Sequence, residues 1–181
     1  MFGEDSKARF DIVVAPHLAD AFAFARWLAR DVTDAEDIFQ EACLRAFRGI
    51  EAFSGGNARA WVLTIVRRTA YSWFSKNRST ILVAIDDLEP EERALAERGG
   101  DRDTLNIATP EAKLIAQADA ARLERAIAAL PIEFRETFVL RDIQGLEYRE
   151  IAEITGVPLG TVMSRLARAR RRLTQRLGTE Q

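Results

Sequence analysis

The sequence predicts an all-α protein in which two small helical domains are joined by an acidic linker and the second carries a helix-turn-helix. Three observations predict it. Apolar residues recur at intervals of three and four over most of the 181 residues, which is the period of a helix packed on one side. Alternating runs of Val, Ile and Thr, the mark of strands, are scarce. Acidic charge gathers in the middle: residues 81–115 hold nine acidic against four basic residues, so the net charge of -2 conceals an uneven distribution. The expected divisions are 1–80, a linker 81–116, and 117–181.

In chain order, Ile12, Leu18, Ala21, Phe22, Ala25 and Leu28 predict one helix from Arg9 to about Arg30, or two helices broken at Pro16. A second helix is expected to start at Thr33, because Thr33 followed by Glu36 has the spacing of a capping box, and to run to about Ile50. Its buried side is expected to hold Phe39, Ala42, Cys43, Ala46 and Phe47. Asp37, Gln40, Glu41, Leu44 and Arg48 face outward. Ser54-Gly55-Gly56-Asn57 cannot continue a helix and reads as a loop. The next helix, about Ala58 to Arg78, interleaves Trp61, Tyr71, Trp73 and Phe74 with Arg59, Arg67, Arg68, Lys76 and Arg78. Aromatic and basic groups beside a flexible loop suit unstacked bases of a single strand; Trp61 and Tyr71 equally suit a core.

Residues 79–116 change character. Asp86, Asp87, Glu89, Glu91 and Glu92 surround Pro90, and Gly99-Gly100 and Thr109-Pro110 follow. This reads as a solvated acidic linker with one short helical stretch, Glu91 to Arg98, or as an acidic segment that occupies a nucleic-acid path. Two helices follow, Asp119 to Leu130 and Ile132 to Ile143, divided by Pro131.

The final segment carries the strongest pattern. A short helix, about Tyr148 to Ile154, ends in Thr155-Gly156-Val157-Pro158, where Gly156 tolerates a left-handed corner and Pro158 suits the start of the next helix. On that next helix Val162, Leu166, Ala169, Leu173 and Leu177 form an apolar stripe. Thr161, Ser164, Arg165, Arg168 and Arg172 share another face, with Arg170, Arg171 and Arg176 flanking it to reach phosphates. No acidic residue lies between Arg165 and Arg176. The arginine fork pairs with guanine N7 and O6 or with a phosphate, so this face implies DNA contact; an arginine-rich helix is otherwise a solvated face.

A hydrophobic share of 48% with 30% charged residues is that of a soluble globular chain. No run is apolar enough to span a membrane and the N-terminus is charged rather than signal-like, so a cytoplasmic setting is expected. One cysteine, Cys43, and one histidine, His17, make neither an internal disulfide nor a usual zinc site. Cys43 reads as a core thiol. No phosphate loop and no activated nucleophile is present, so neither a cofactor nor an enzyme is expected.

Three segments together resemble the extracytoplasmic-function (ECF) sigma factors, the two-domain branch of the bacterial sigma family. Asp34-Ala35-Glu36-Asp37-Ile38-Phe39-Gln40-Glu41-Ala42-Cys43-Leu44-Arg45-Ala46-Phe47 is similar to the family's core-polymerase-binding helix. Ala60-Trp61-Val62-Leu63-Thr64-Ile65-Val66-Arg67 resembles the helix that engages the promoter's -10 element. Leu130-Pro131, Phe134-Arg135, Tyr148 to Glu153 and Gly156 to Leu166 resemble the helix-turn-helix that reads the -35 element. The resemblance implies a core-binding face of Asp34, Asp37, Gln40, Glu41, Leu44 and Arg48. It implies a -10 site of Ser54, Gly55, Gly56, Asn57, Trp61, Arg67, Arg68 and Tyr71, and a -35 site of Thr161, Met163, Ser164, Arg165, Arg168, Arg171 and Arg172. Met163, Ala167 and Arg68 depart from residues common in the family, at positions that tune promoter preference. The implied partners are bacterial core RNA polymerase, promoter DNA and an anti-sigma factor, with the free chain a monomer. A sigma-like decoy for an anti-sigma protein and a dimeric helix-turn-helix regulator are the alternatives: the first has no need of the retained arginines, and the second leaves Asp34 to Phe47 unexplained.

Overall fold

The computed structural model describes residues 4–29, 31–81 and 110–178, and among them every regular element is helical. The N-terminal bundle comprises α1 (Glu4–Val13), α2 (Leu18–Leu28), α3 (Val32–Gly49) and α4 (Ala58–Ile81). The C-terminal bundle comprises α5 (Pro110–Ala128), α6 (Ile132–Phe138), α7 (Tyr148–Thr155) and α8 (Leu159–Gly178). Pro16 sits in a single 3-10 turn, Ala15–His17, between α1 and α2. The chain therefore breaks at the proline, whose ring and missing N–H interrupt a helix.

Helix α3 begins one residue earlier than Thr33, and the capping box expected at Thr33 and Glu36 does not form. Asp31 caps instead: its backbone is extended and its carboxylate accepts from the Asp34 N–H at 2.8 Å. A short aspartate just outside the first turn reaches the free amides, whereas Thr33 already lies within the helix. The buried side of α3 runs through Ala35, Ile38, Ala42 and Ala46 and continues to Ile50 just after it, with Phe39, Cys43 and Phe47 half-buried along its edges. Phe39 meets Phe22 edge-on at 5.2 Å and Phe47 meets Phe10 at 5.6 Å, which ties α3 to α2 and α1. Helices α2, α3 and α4 pack mutually. Phe24, Leu28, Ile38, Ile50 and Leu63 are fully buried among them, each contributing about 1.5–3 kcal/mol of burial.

Helix α4 runs three residues past Arg78, and α5 starts at Pro110, inside the stretch expected to be linker. Proline at the first helical position loses no hydrogen bond and has its φ already set, so Pro110 opens a helix rather than prolonging a loop. The short helix expected over Glu91 to Arg98, and the acidic cluster around Pro90, lie outside the described residues.

In the C-terminal bundle α6 lies chiefly against α8. It passes into one turn of wider helix, Val139–Ile143, capped by Gln144 and followed by Gly145 with φ +72. Helix α7 starts with the Glu147 N–H donating to the Glu150 carboxylate at 2.7 Å, the return half of a capping box. It stops at Gly156, φ +70, whose N–H reaches the Ala152 carbonyl at 2.8 Å. Buried Ile151 and Ile154 share one core cluster with Val162 and Ala169 of α8 across that corner.

The two bundles are docked. Helix α4 lies against α7 and α2 against α6, and buried residues of both halves, from Val14 to Leu173, form one continuous cluster.

Candidate nucleic-acid interface

The apolar stripe of α8 fixes which side of that helix is free. Val162, Leu166, Ala169 and Leu173 are buried, which turns Met163, Ser164, Arg168, Arg171 and Arg172 outward. Thr161 and Arg165 are half-buried at the edge of this face. The Ser164 hydroxyl donates to the Thr161 carbonyl at 3.0 Å, and the Arg172 guanidinium stacks over Phe134 at 5.2 Å. Arg170, expected to reach a phosphate, instead clamps Asp142 through Nη2 at 2.6 Å and Nε at 3.1 Å. Asp142 comes from the turn after α6, so its charge could not be seen in the local run of α8.

The loop before α4 has the backbone its glycines imply. Gly55 and Gly56 have φ of +104 and +97, a region a side chain strains to enter. Asn57 then caps α4, its Oδ1 accepting from the Ala60 N–H at 3.0 Å. Ser54, Gly55, Gly56 and Asn57 are all exposed. Trp61 is half-buried, tilted over Phe53 at 4.9 Å between ring centres, so it is partly a packing residue. Arg68 is exposed.

Arg67 and Tyr71, one turn apart on α4, converge on Glu136 of α6. Arg67 Nε and Nη2 reach the two carboxylate oxygens at 2.8 and 3.1 Å, and the Tyr71 hydroxyl donates at 3.1 Å. Arg67 also stacks on the Tyr71 ring at 4.5 Å. Arg165 of α8 approaches the same carboxylate at 3.5 Å. Glu136 is fully buried; burial pushes its carboxyl above the usual range, while Arg67, Tyr71 and Arg165 pull it back. The Tyr71 hydroxyl is pushed up by burial and by the Glu136 charge.

Further contacts bind the bundles around this centre. The Asn57 amide donates to the Glu150 carboxylate. Arg59 pairs with Asp20 at 2.7 Å and donates to the Gln144 carbonyl at 2.8 Å, and the Gln144 amide donates to the Asp20 carbonyl at 2.9 Å. Buried Arg135 donates to the carbonyls of Trp27 and Leu28 at the end of α2 and to that of Leu130. Glu136, Gln144 and Glu150 are site-facing residues that the sequence reading missed. One signal was present: Ile132, Glu136, Val139 and Leu140 have core spacing, which places a carboxylate at an apolar position.

On α3 the outward face holds Asp37, Gln40, Leu44 and Arg48, all exposed, with Leu44 at 51%. Glu41 is held by Arg45 at 2.7 Å, and that hydrogen bond lowers its carboxyl pKa. Asp34 is half-buried beside Trp73; burial and then the Asp31 charge raise its pKa. Among the described residues no group of three metal-ligating side chains gathers, and no helix is long and apolar enough to cross a membrane.

Two docked helical bundles, one ending in an arginine-faced helix-turn-helix and the other presenting a glycine loop and a basic-aromatic helix, define a transcription initiation factor of the sigma class. The sigma-70 region 2 family matches residues 13–80 and the sigma-70 region 4 family matches residues 120–173. The RNA polymerase sigma-H factor of Pseudomonas aeruginosa is 31% identical over 94% of this chain and 87% of its own length. The ECF RNA polymerase sigma-E factor of Haemophilus influenzae is 30% identical over 96% and 90%. Among solved structures, the sigma factor RpoE of Bartonella quintana, in complex with the anti-sigma factor NepR, superposes with a TM-score of 0.72 at 26% identity over 99% of this chain and 100% of that one. The chain belongs to the ECF RNA polymerase sigma factors, and it is an alternative sigma factor directing transcription initiation.

Proposed function

We propose that this sigma factor acts through three surfaces, on cytoplasmic core polymerase, and is released from an anti-sigma factor under stress. Residues 1–80 form the unit that binds core and the -10 element, 81–116 the acidic connection, and 117–181 the unit that binds the -35 element. The outward face of α3, with Asp34, Asp37, Gln40, Glu41, Leu44 and Arg48, docks on the polymerase. Ser54 to Asn57 with Trp61, Arg67, Arg68 and Tyr71 hold the -10 strand, the loop offering open backbone and the helix offering cations and rings. Thr161, Met163, Ser164, Arg165, Arg168, Arg171 and Arg172 enter the -35 major groove. The chain has no catalytic role of its own: it positions polymerase and stabilises the opened strand.

The observation that carries this reading is the helix-turn-helix of α7 and α8, with Gly156 at its corner and an outward arginine face. An anti-sigma partner is supported by the similar fold of the Bartonella quintana sigma factor, which is solved with NepR. Run-off transcription with purified bacterial core polymerase on fragments of the source genome tests it. Start sites appearing only on addition of the protein are expected. Core binding without initiation points to a decoy, and sequence-specific binding of a dimer without core points to a classical regulator.

A further inference from the structure

Two large apolar side chains, Leu159 and Met163, stand exposed at 40% and 47% on the first turns of α8, while the buried stripe of that helix runs through Val162, Leu166, Ala169 and Leu173. Resting on the assignment of α8 to the -35 major groove, we infer that Met163 is a specificity-determining residue: it reads a thymine through the 5-methyl group of the base, and Leu159 extends the apolar contact.

Place and chemistry both carry this. Met163 lies in the N-terminal part of α8, the part of a recognition helix that meets base edges. Leu159, Met163 and Ala167 are spaced by four and form one row along the helix. The neighbouring row is Gly160, Ser164 and Arg168, and every member of both rows is exposed. One side of the free face therefore offers a hydroxyl and a guanidinium, and the other offers no hydrogen-bond donor at all. A thioether cannot hold a phosphate or pair with the edge of guanine. Among the groups that base pairs present in the major groove, the thymine methyl alone is apolar, and the flexible methionine side chain moulds readily to such a group.

The surroundings of Met163 leave room for a base. Its exposed neighbours one turn away, Gly160 and Ala167, carry no side chain and a single methyl. The fold does not demand the glycine: Gly160 is absent from the positive-φ residues, and a Cβ built there meets nothing within 4 Å. Glycine inside a helix is unfavourable relative to alanine and is used where backbone approaches another molecule closely. At the second position of α8 it lets the first turn sink toward the groove and brings the Met163 row to the base edges.

Synthetic duplexes and the polymerase-bound protein test this. The probe is a promoter fragment found by run-off transcription, with each thymine of its -35 region replaced in turn by uracil, which removes the methyl and keeps the pairing. Gel shifts compare the wild type, Met163→Ala and Arg168→Ala. One thymine is expected at which uracil weakens wild-type binding about fourfold, the worth of one buried methyl. Met163→Ala is expected to lose a similar factor on the thymine duplex and to bind both duplexes equally, the coupling that marks a direct contact. Met163 is exposed, so this variant is expected to melt like the wild type, and the uracil comparison on wild-type protein needs no variant. With Arg168→Ala weakened, uracil that changes nothing at any position, or changes both proteins alike, overturns the inference and leaves α8 in the groove. A loss in Met163→Ala that is equal on every duplex places the side chain against a protein partner and also overturns it. Wild-type binding by both variants overturns the inference together with the assignment of α8 to the -35 element.

Discussion

Arg67 and Glu136, 69 residues apart in the chain, form a two-pronged ion pair with Nε–Oε2 at 2.8 Å and Nη2–Oε1 at 3.1 Å. The carboxylate is fully buried and the Arg67 side chain is 19% exposed, so solvent screens the pair little.

Arg67→Ala removes the shorter of Glu136's two arginine contacts and leaves Arg165 at 3.5 Å with the Tyr71 hydroxyl at 3.1 Å. Those remaining partners soften the penalty of a stranded charge. The expected loss is about 1–3 kcal/mol in urea unfolding, the range for a charged hydrogen bond. Tyr71→Phe deletes one hydroxyl and is expected to cost about 0.5–1.5 kcal/mol, and the double variant less than the sum, because both losses fall on one carboxylate. Strict additivity would separate the two contacts.

Arg165 and Arg168 lie three residues apart on the proposed -35 face and differ in surroundings. Arg168 is exposed, while Arg165 is half-buried against Glu136. Either substitution to Ala is expected to weaken promoter binding by the polymerase-bound protein by about 1–3 kcal/mol, if a base contact is lost. Only Arg165→Ala is expected to lower the unfolding midpoint as well. Gel shifts and thermal melts on the same preparations separate the two effects, and wild-type promoter affinity in the Arg168 variant would remove that residue from the site.

Asp37→Arg reverses one charge on the exposed face of α3 and touches nothing buried. Such surface changes cost within about 0.5 kcal/mol of folding stability. The expected result is a normal melting curve with loss of core polymerase in a pull-down; retained core would move the docking surface elsewhere.

Much of the fold was legible because it is written in local periodicity. The α8 stripe of Val162, Leu166, Ala169 and Leu173 is buried as its spacing predicts, and Gly156 turns the corner with the positive φ expected of it. Errors fell where a competing local group decided: Asp31 outreaches Thr33 as a cap, and Pro110 starts a helix inside an acidic stretch. The site was legible only as a set of surfaces. That Arg67 and Tyr71 face Glu136, or that Arg170 faces Asp142, depends on packing between elements 28 to 69 residues apart. No periodicity within one helix encodes such a pairing. The charge at the core position Glu136 was its sole local trace.

Cys43 shows how burial decides chemistry. Its thiol is half-buried on α3 and burial raises its pKa, so the thiolate that reacts with disulfide reagents is scarce at neutral pH. Thiol titration is expected to be slow in the native protein and fast in denaturant. Equal rates would mean that this edge of α3 opens readily.

Gly156 tests the corner itself. Its φ of +70 lies in the left-handed region, where a side chain costs about 1–2 kcal/mol. A Cβ placed there meets nothing within 4 Å, so the penalty of Gly156→Ala is conformational and free of steric clash. The expected outcome is a loss of about 1–2 kcal/mol in unfolding, with Gly156→Asn losing less because asparagine tolerates this conformation. Both variants should retain promoter specificity, since Gly156 contributes backbone direction and no side chain to α8. A changed promoter preference at unchanged stability would mean instead that the residue itself faces the DNA.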